Sequence, residues 1–184
     1  MIRSFIAFDI DDQSIITKIS TVQGQLSATG ADLKFVRPEN VHITLRFLGN
    51  IPRNLASLIW EEMKNLRYEP FEVELKGLGV FSSLRNIRVV WIGITRGEAE
   101  LKAIHDQLEP RLRGLGITPD KKGFNPHLTI ARVKSGKNKF QLAECLRALS
   151  NYEFGVVKAE VLRLKQSILT PKGPIYRNLY EFTP

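Results

Sequence analysis

A four-residue pattern occurs twice in this chain, and the duplication limits the folds that the chain can adopt. His-Ile-Thr-Leu begins at His42, and His-Leu-Thr-Ile begins at His127. Each copy lies in a short apolar segment that is typical of a β-strand. Because successive side chains of a strand alternate between its faces, the histidine and threonine of each copy should share one face, opposite the apolar residues. If the two strands lie side by side, two imidazoles and two hydroxyls line one cleft.

The predicted order of elements is duplicated as well. Each histidine-bearing strand is followed by a polar loop, an amphipathic helix and two strands. Stripes of apolar residues predict four helices, and Pro110 should kink or split the third of them. The closing strands are predicted over residues 156–169 and 175–182, with turn residues between them.

This order of elements predicts the fold class. Two similar lobes that face each other across a groove would bring the two histidine motifs together. We therefore predict an α+β, bilobal and pseudo-symmetric fold, in which two largely antiparallel β-sheets form a central cleft with the helices on the outside. No low-complexity linker separates the halves, so residues 1–184 should form a single domain made of two intimately packed lobes.

Charge and cysteine content restrict the partners and the environment. The chain has 27 Lys and Arg against 19 Asp and Glu, a net charge of +8, which favours polyanionic partners such as nucleic acids. Its single cysteine, Cys145, excludes an intrachain disulfide and suits a reducing compartment. No targeting segment and no membrane-spanning apolar run are evident. We expect a cytoplasmic monomer that has no membrane partner.

A purely structural role or a metal site fits the two histidines less well. A single histidine on a strand is more often structural than catalytic, but independent structural histidines have no reason to share the same neighbours. A metal site would need three or four protein ligands, and no third histidine, cysteine pair or carboxylate accompanies either motif. His105 is expected to be a packing or surface residue, and Cys145 to be buried. Motifs that bind ATP or NAD are absent, so we predict neither metal nor cofactor.

Two histidines that face each other suit chemistry at a phosphate ester. An imidazole has an unperturbed pKa of about 6.5, so one ring can take a proton from water while the other protonates a leaving oxygen. Thr44 and Thr129 offer hydroxyls to the phosphate oxygens, and Arg132 offers a guanidinium. Strict alternation turns Arg132 away from the cleft, so this assignment assumes that the strand ends or twists after Ala131. Arg46 is the alternative cation.

The two motifs and their flanks resemble a known family. The first lies within residues 37–49 (Arg-Pro-Glu-Asn-Val-His-Ile-Thr-Leu-Arg-Phe-Leu-Gly) and the second within residues 124–132 (Phe-Asn-Pro-His-Leu-Thr-Ile-Ala-Arg). Both look like the H-x-T-x motifs of the two-histidine (2H) phosphoesterases. More closely, the chain is similar to the RNA 2′,3′-cyclic phosphodiesterases, historically called 2′-5′ RNA ligases. The resemblance covers essentially the whole chain, from the first strand to residues 176–182.

The resemblance implies an activity and a role for each motif residue. It implies a bilobal fold with the motif strands at its centre and metal-independent hydrolysis of RNA 2′,3′-cyclic phosphate ends to 2′-phosphomonoesters. The partner is then RNA with such ends, tRNA fragments among them. By motif position, His42 is the proton donor to the leaving O3′ and His127 is the base that activates water. Thr44, Thr129 and Arg132 bind the phosphate.

Alternatives remain open at this point. The reaction is either this hydrolysis or a related one, such as reversible 2′-5′ ligation or the opening of another cyclic phosphate, and a non-catalytic RNA-binding module is a further alternative. Phe47 either stacks on a base or packs in the core, and strict alternation favours packing. Five lysines near the second motif either hold the RNA backbone or are ordinary solvated charges: Lys121, Lys122, Lys134, Lys137 and Lys139.

Overall fold

Nine strands and four helices make up the computed structural model, which describes residues 1–184. A single 3₁₀ turn, Pro38–Asn40, precedes the third strand. In chain order the elements are β1 (Ile2–Asp9), α1 (Gln13–Ala28), β2 (Leu33–Phe35), β3 (His42–Ile51), α2 (Leu55–Met63), β4 (Phe71–Ser83), β5 (Asn86–Arg96), α3 (Glu98–Gly114), β6 (Leu128–Val133), α4 (Lys139–Ala148), β7 (Glu153–Ala159), β8 (Leu162–Thr170) and β9 (Gly173–Phe182).

The strands form two sheets, and every paired strand is antiparallel to its neighbour. The first sheet has the order β3-β1-β8-β9, and the second has the order β2-β6-β5-β4-β7. The two motif strands therefore belong to different sheets, because β3 is an edge of the first and β6 lies inside the second. The predicted α+β class with two antiparallel sheets is confirmed.

The helices divide between the two sheets. In the first lobe α2 packs against β9 and α3 against β3, whereas in the second lobe α1 packs against β6 and β7 and contacts α4. One continuous cluster of 41 buried apolar residues runs through both lobes, so the two sheets share a core. None of the four helices combines the length and the apolarity that crossing a bilayer requires.

Local chemistry explains how the helices begin and why one of them continues through a proline. At the start of α1 the Asp12 carboxylate accepts a hydrogen bond from the Ile15 amide at 3.0 Å, as expected of an N-cap. Helix α3 runs unbroken through Pro110, so the alternative of a split was wrong. Burial of Leu108 and Leu112 on either side of the proline offsets the cost of the missing amide hydrogen bond, which is about 3 kcal/mol.

The predicted strand over residues 156–169 is two strands. Strand β7 belongs to the second sheet and β8 to the first, and Glu160 and Val161 carry the chain from one lobe to the other. Alternating apolar residues continue on both sides of this crossing. Periodicity identifies a strand but carries no information about the sheet in which it pairs, so the break was missed.

Candidate active site

The two motif histidines occupy equivalent positions, each at the start of its strand. His42 is the first residue of β3, and His127 directly precedes β6. The Nδ1 atom of His42 lies 2.6 Å from the backbone oxygen of Asn40, and that of His127 lies 2.7 Å from the backbone oxygen of Asn125. Because a carbonyl oxygen can only accept, each Nδ1 carries a proton and donates it. Each Nε2 is thus left free to exchange a proton.

The residues that follow each histidine alternate as the sequence predicted. Ile43 and Leu128 are fully buried, whereas Thr44 and Thr129 are half-buried on the face that carries the histidines. Each motif therefore places one imidazole and one hydroxyl above an apolar floor.

The two motifs face each other from different sheets. Strands β3 and β6 are in contact although they are not hydrogen-bonded neighbours. The positive charge of His127 also contributes to lowering the pKa of His42. The strands thus do not lie side by side in one sheet, but the two imidazoles are within electrostatic range across a shared cleft.

Each imidazole is backed by two aromatic rings, a feature that the sequence reasoning missed. The ring of His42 lies 4.9 Å from that of Phe5 and 5.3 Å from that of Tyr176, measured between centroids. The ring of His127 lies 4.9 Å from Phe81 and 6.1 Å from Trp91. These aromatics come from β1, β9, β4 and β5, so no pattern within the motifs identifies them. They hold the rings in place and restrict water around them.

Burial lowers the pKa of both histidines, but the neighbouring charges differ. The hydrogen bond from His42 to the Asn40 carbonyl and the nearby Asp9 carboxylate oppose the lowering of the His42 pKa, and Lys165 adds to it. For His127 the hydrogen bond to Asn125 opposes the lowering of the pKa, and the Arg132 guanidinium adds to it. Both imidazoles therefore have a basic neighbour that lowers the pKa, and only His42 also has an acidic neighbour that raises it.

An ion pair with a buried lysine lies beside His42. Asp9 is paired with His42 in the register of β1 and β3. Lys165 is only 5% exposed. Its Nζ lies 2.8 and 2.6 Å from the two Asp9 carboxylate oxygens and 2.8 Å from the Asn178 side-chain oxygen. Loss of Asp9 would leave the Lys165 charge buried without a carboxylate partner. Asp9 is itself 24% exposed and also lies 3.6 Å from the Arg163 guanidinium.

A β-bulge turns Arg132 toward the cleft. In the pairing of β5 with β6, Trp91 is opposite Thr129 but Val90 is opposite Ala131, so Ile130 is the extra residue. Ile130 and Ala131 are both buried, and Arg132 is exposed on the side of Thr129. The strand neither ends nor needs to twist sharply after Ala131, because one extra residue reverses the alternation.

The electrostatic effects of Arg132 also place its side chain on the cleft side of β6. It lowers the pKa of His127 and acts on Tyr176, whose ring contacts His42. Burial raises the pKa of Tyr176, so its hydroxyl stays protonated near neutral pH. Arg132 thus lies among the cleft residues, as its assignment required.

The equivalent bulge in β3 corrects two other predictions. Ala7 pairs with Thr44 and Ile6 with Arg46, so the alternation also reverses after Thr44. Arg46 is buried, forms an ion pair with Glu109 and donates to the Thr118 oxygen at 2.6 Å. It holds β3 against α3 and its flanking loop and was wrongly considered as a cleft cation.

Phe47 takes the place in the first motif that Arg132 takes in the second. Each is the third residue after the motif threonine and follows a bulge. Its side chain is 59% exposed and its ring lies 6.1 Å from that of Phe5. The prediction that Phe47 packs in the core was wrong, because the bulge moves it to the cleft side.

The remaining candidates lie outside the cleft or play packing roles. His105 is buried on α3, and its ring stacks on that of Phe124 at 4.5 Å with 5° between the planes, which confirms a packing role. Cys145 is half-buried rather than buried. No group of three or more histidine, cysteine, aspartate or glutamate side chains is arranged to hold a metal ion. The five lysines near the second motif are all exposed.

Comparison with known proteins shows a matching family and similar relatives. The family model described as LigT like Phosphoesterase matches the chain twice, over residues 10–91 and 92–176, and each match contains one histidine motif. The RNA 2′,3′-cyclic phosphodiesterase of Aeropyrum pernix is 41% identical over 167 residues, which are 91% of this chain and 95% of that protein. The protein of the same name from Archaeoglobus fulgidus is 41% identical over 180 residues, 98% of this chain and 99% of that one.

Solved structures agree with the fold. The crystal structure of TT0787 of Thermus thermophilus superposes with a TM-score of 0.83 at 25% identity, covering 98% of this chain and 97% of that one. The structure of LigT from E. coli complexed with NADP+ superposes with a TM-score of 0.79 at 21% identity, covering 99% and 96%. At this identity the second likeness concerns the fold alone.

Proposed function

The chain belongs to the LigT-like phosphoesterases, and from this premise we propose that it opens RNA 2′,3′-cyclic phosphates with two histidines and without a metal ion. It is a cyclic phosphodiesterase and hence a hydrolase. RNA is the substrate in this proposal because the relatives named above are RNA 2′,3′-cyclic phosphodiesterases. The net charge of +8 suits such a polyanion.

The observation that carries the proposal is the matched hydrogen bonding of His42 and His127. Each Nδ1 donates to a backbone oxygen, which fixes the ring and leaves Nε2 as the atom that gives or takes a proton. Two such nitrogens that face one cleft can serve both the entering and the leaving oxygen of a displacement at phosphorus.

The charges beside the histidines support an assignment of roles. The Asp9 carboxylate favours the protonated form of His42, against burial and the Lys165 charge, and His127 has no such carboxylate; this difference suits His42 to the role of general acid. The Arg132 guanidinium favours the neutral form of His127, which suits a general base. This is the same assignment that the motif order implies.

The reaction then follows from these roles. Nε2 of His127 takes a proton from water as the water oxygen bonds to phosphorus. The bond from phosphorus to O3′ breaks, and Nε2 of His42 gives its proton to O3′, which leaves a 2′-phosphomonoester. The Thr44 and Thr129 hydroxyls and the Arg132 guanidinium would bind the non-bridging oxygens, where negative charge must be stabilised.

Substitution of each histidine tests the proposal. We expect His42→Ala and His127→Ala each to lower kcat/KM on a 2′,3′-cyclic phosphate by about two to four orders of magnitude, the usual value of general acid–base catalysis. Circular dichroism should show an unchanged fold for both variants. Full activity of either variant would contradict the mechanism, and binding of the substrate without any hydrolysis by the wild-type protein would favour a non-catalytic RNA-binding module.

Chelation tests metal independence. The wild-type enzyme should keep its full turnover in excess EDTA, because the proposed proton donors and phosphate ligands are all side chains. Loss of activity with EDTA and its return with zinc would contradict this part of the proposal.

A further inference from the structure

A basic groove that the mechanism does not use lies at the end of the second sheet. It encloses about 300 Å³ between the β4–β5 turn and the loop from β6 to α4. Five cations and no acidic side chain are among the residues that line it. The five are Arg85, Arg88, Lys134, Lys137 and Lys139.

The groove adjoins the cleft at the end of β5 and β6. Arg132 pairs with Val89 in the register of β5 and β6. The residues next to this pair, Arg88 on β5 and Val133 on β6, both line the groove. Lys34 pairs with Arg132 on the other side and is also exposed. Val133 and Leu142 of α4, which also line the groove, pack on the core side of the second sheet, opposite Arg132. The groove therefore lies around the end of the sheet from Arg132, next to the cleft but not on the same face.

The cations of the groove are free to bind an anion. All five side chains are exposed, and none of them forms an ion pair with an acidic residue. Some lysines and arginines elsewhere on the chain are paired with carboxylates, among them Lys64, Lys76 and Arg96, and others are unpaired. The groove thus keeps uncompensated positive charge close to the cleft, which attracts a polyanion.

The loop that carries Lys134 and Lys137 and leads to Lys139 at the start of α4 is fixed to the rest of the lobe. The Lys134 amide donates to the Asp32 oxygen at 2.8 Å, and the Asn138 side-chain amide donates to the Thr29 oxygen at 3.0 Å. Asn138 has a left-handed backbone with φ of 52°, which asparagine tolerates better than most residues. A Cβ at Gly30 would lie 2.5 Å from the Asn138 side chain, so glycine allows this close approach. The lysines are therefore held at the groove.

We propose that this groove binds the phosphodiester backbone of the RNA upstream of the cyclic phosphate. This inference rests on the proposed function. A 2′,3′-cyclic phosphate is at the 3′ end of its RNA, so the rest of the strand leaves the cleft in the 5′ direction. The groove offers that strand a group of cations around the end of the sheet from Arg132. Contacts of this kind bind phosphates without reading bases, so the enzyme prefers oligonucleotides to mononucleotides irrespective of sequence.

Two triple variants with equal loss of charge test the groove. The groove variant is Arg88→Gln, Lys134→Gln, Lys137→Gln. The control variant is Arg53→Gln, Arg67→Gln, Arg113→Gln, whose side chains are exposed, lie outside the groove and form no ion pair. Both are assayed on a 2′,3′-cyclic mononucleotide and on several unrelated oligonucleotides of about ten nucleotides with the same cyclic end, a length within the usual range of single-strand sites.

The groove variant should have impaired kinetics on the oligonucleotides and unchanged kinetics on the mononucleotide. We expect its KM for each oligonucleotide to rise about tenfold or more, and the slope of log kcat/KM against log salt concentration to fall in magnitude by about 2. Its kinetics on the mononucleotide, and all kinetics of the control variant, should equal those of the wild type. Binding of an oligonucleotide with a 2′-phosphate end, followed by fluorescence anisotropy, should weaken by the same factor.

Three results would overturn the inference or the proposal beneath it. Unchanged oligonucleotide binding and kinetics in the groove variant would show that the strand leaves by another route. An equal change on both substrates would show an effect on the cleft itself. Failure of the wild-type enzyme on every cyclic phosphate would contradict the proposed function instead, and the anisotropy measurement would still decide whether the groove binds RNA.

Discussion

At the scale of single residues, the two histidines are alike in geometry and different in electrostatics. Each donates its Nδ1 proton to the backbone oxygen two residues earlier. Burial lowers the pKa of both, yet Asp9 raises that of His42 and Arg132 lowers that of His127. The proposed direction of the reaction rests on Asp9, a residue outside the H-x-T-x motifs that has no counterpart among the charges acting on His127.

The pH dependence of kcat/KM should reveal this direction. Because burial lowers both pKa values in the free enzyme, both limbs of the bell-shaped profile should lie below pH of about 6.5. Asp9→Asn removes the charge that raises the pKa of His42. If His42 is the acid, activity requires its protonated form, so the alkaline limb should move to lower pH and the acidic limb should stay in place.

A control variant and a stability measurement accompany this pH profile. Asp11→Asn neutralises an exposed carboxylate two residues along the chain from Asp9 and should leave the pH profile unchanged. Asp9→Asn also leaves Lys165 buried without its partner, which we expect to lower the free energy of unfolding by about 3 kcal/mol; replacing Asp9 and Lys165 together by apolar residues should restore much of this loss. Movement of the acidic limb instead would reverse the assigned roles.

At the scale of elements, the two bulges decide which side chains enter the cleft. Each inserts one residue after the motif threonine, and the residue three positions after that threonine then returns to the cleft face. The second bulge presents Arg132 and the first presents Phe47. The two halves of a duplicated framework therefore present a cation on one side and an exposed aromatic ring on the other.

A glutamine on α1 holds the second bulge, and its replacement tests the role of the bulge. The Gln23 side-chain amide donates to the Ile130 oxygen at 3.0 Å and to the Val36 oxygen at 2.9 Å. We expect Gln23→Met to lower the free energy of unfolding by about 1–2 kcal/mol, the usual value of two such hydrogen bonds. It should also lower kcat/KM, because Arg132 loses its fixed position, and it should have no further effect on kcat/KM in an Arg132→Ala background.

The matched control for this variant lies on the same helix. Gln25 is exposed and forms no side-chain hydrogen bond, so Gln25→Met should change neither stability nor activity. If Gln23→Met lowers stability while kcat/KM stays at the wild-type value, the bulge does not depend on this glutamine to present Arg132. Additive losses in the double variant would lead to the same conclusion.

Helix α3 connects the two motif regions. Its Glu109 pairs with the buried Arg46 of β3, and its His105 stacks on Phe124, just before the second motif. The third histidine thus acts through packing, one turn from the ion pair. Because Arg46 is buried and paired with Glu109, it links β3 to α3 and does not serve as a cation in the cleft.

At the scale of the whole molecule, the two lobes are interleaved. Each sheet contains strands from both halves of the chain, and the chain crosses between lobes several times, last at residues 160–161. The two family-model matches divide the sequence at residue 91, whereas the lobes do not follow that division. We therefore propose that residues 1–184 form one cooperative domain, in which neither lobe folds alone.

The two tryptophans allow this to be measured. Trp60 stacks on Tyr180 of the first lobe, and Trp91 lies beside His127 in the second. Trp60→Phe and Trp91→Phe each leave a fluorophore in one lobe only. We expect their urea unfolding curves, each compared with circular dichroism of the same variant, to show a single coincident transition. Separate midpoints for fluorescence and circular dichroism would show lobes that unfold independently.

Much of the site was predictable because the relevant regularities are local. Alternation assigned His42, Thr44, His127 and Thr129 to one face of their strands, and their burial agrees. The bulges, the aromatic rings behind the histidines and the Asp9–Lys165 pair were not predicted. A bulge exists only relative to the partner strand, and the rings and charges come from strands that pairing brings close.

The residues alone predicted two imidazoles in one phosphate-handling cleft of an α+β fold, because strand alternation and the proton chemistry of histidine do not depend on distant parts of the chain. Only the folded chain decided that Arg132 enters the cleft, that Arg46 does not, and that a carboxylate lies beside His42 but not beside His127. Register and burial are products of pairing between segments far apart in sequence, and no local pattern contains them.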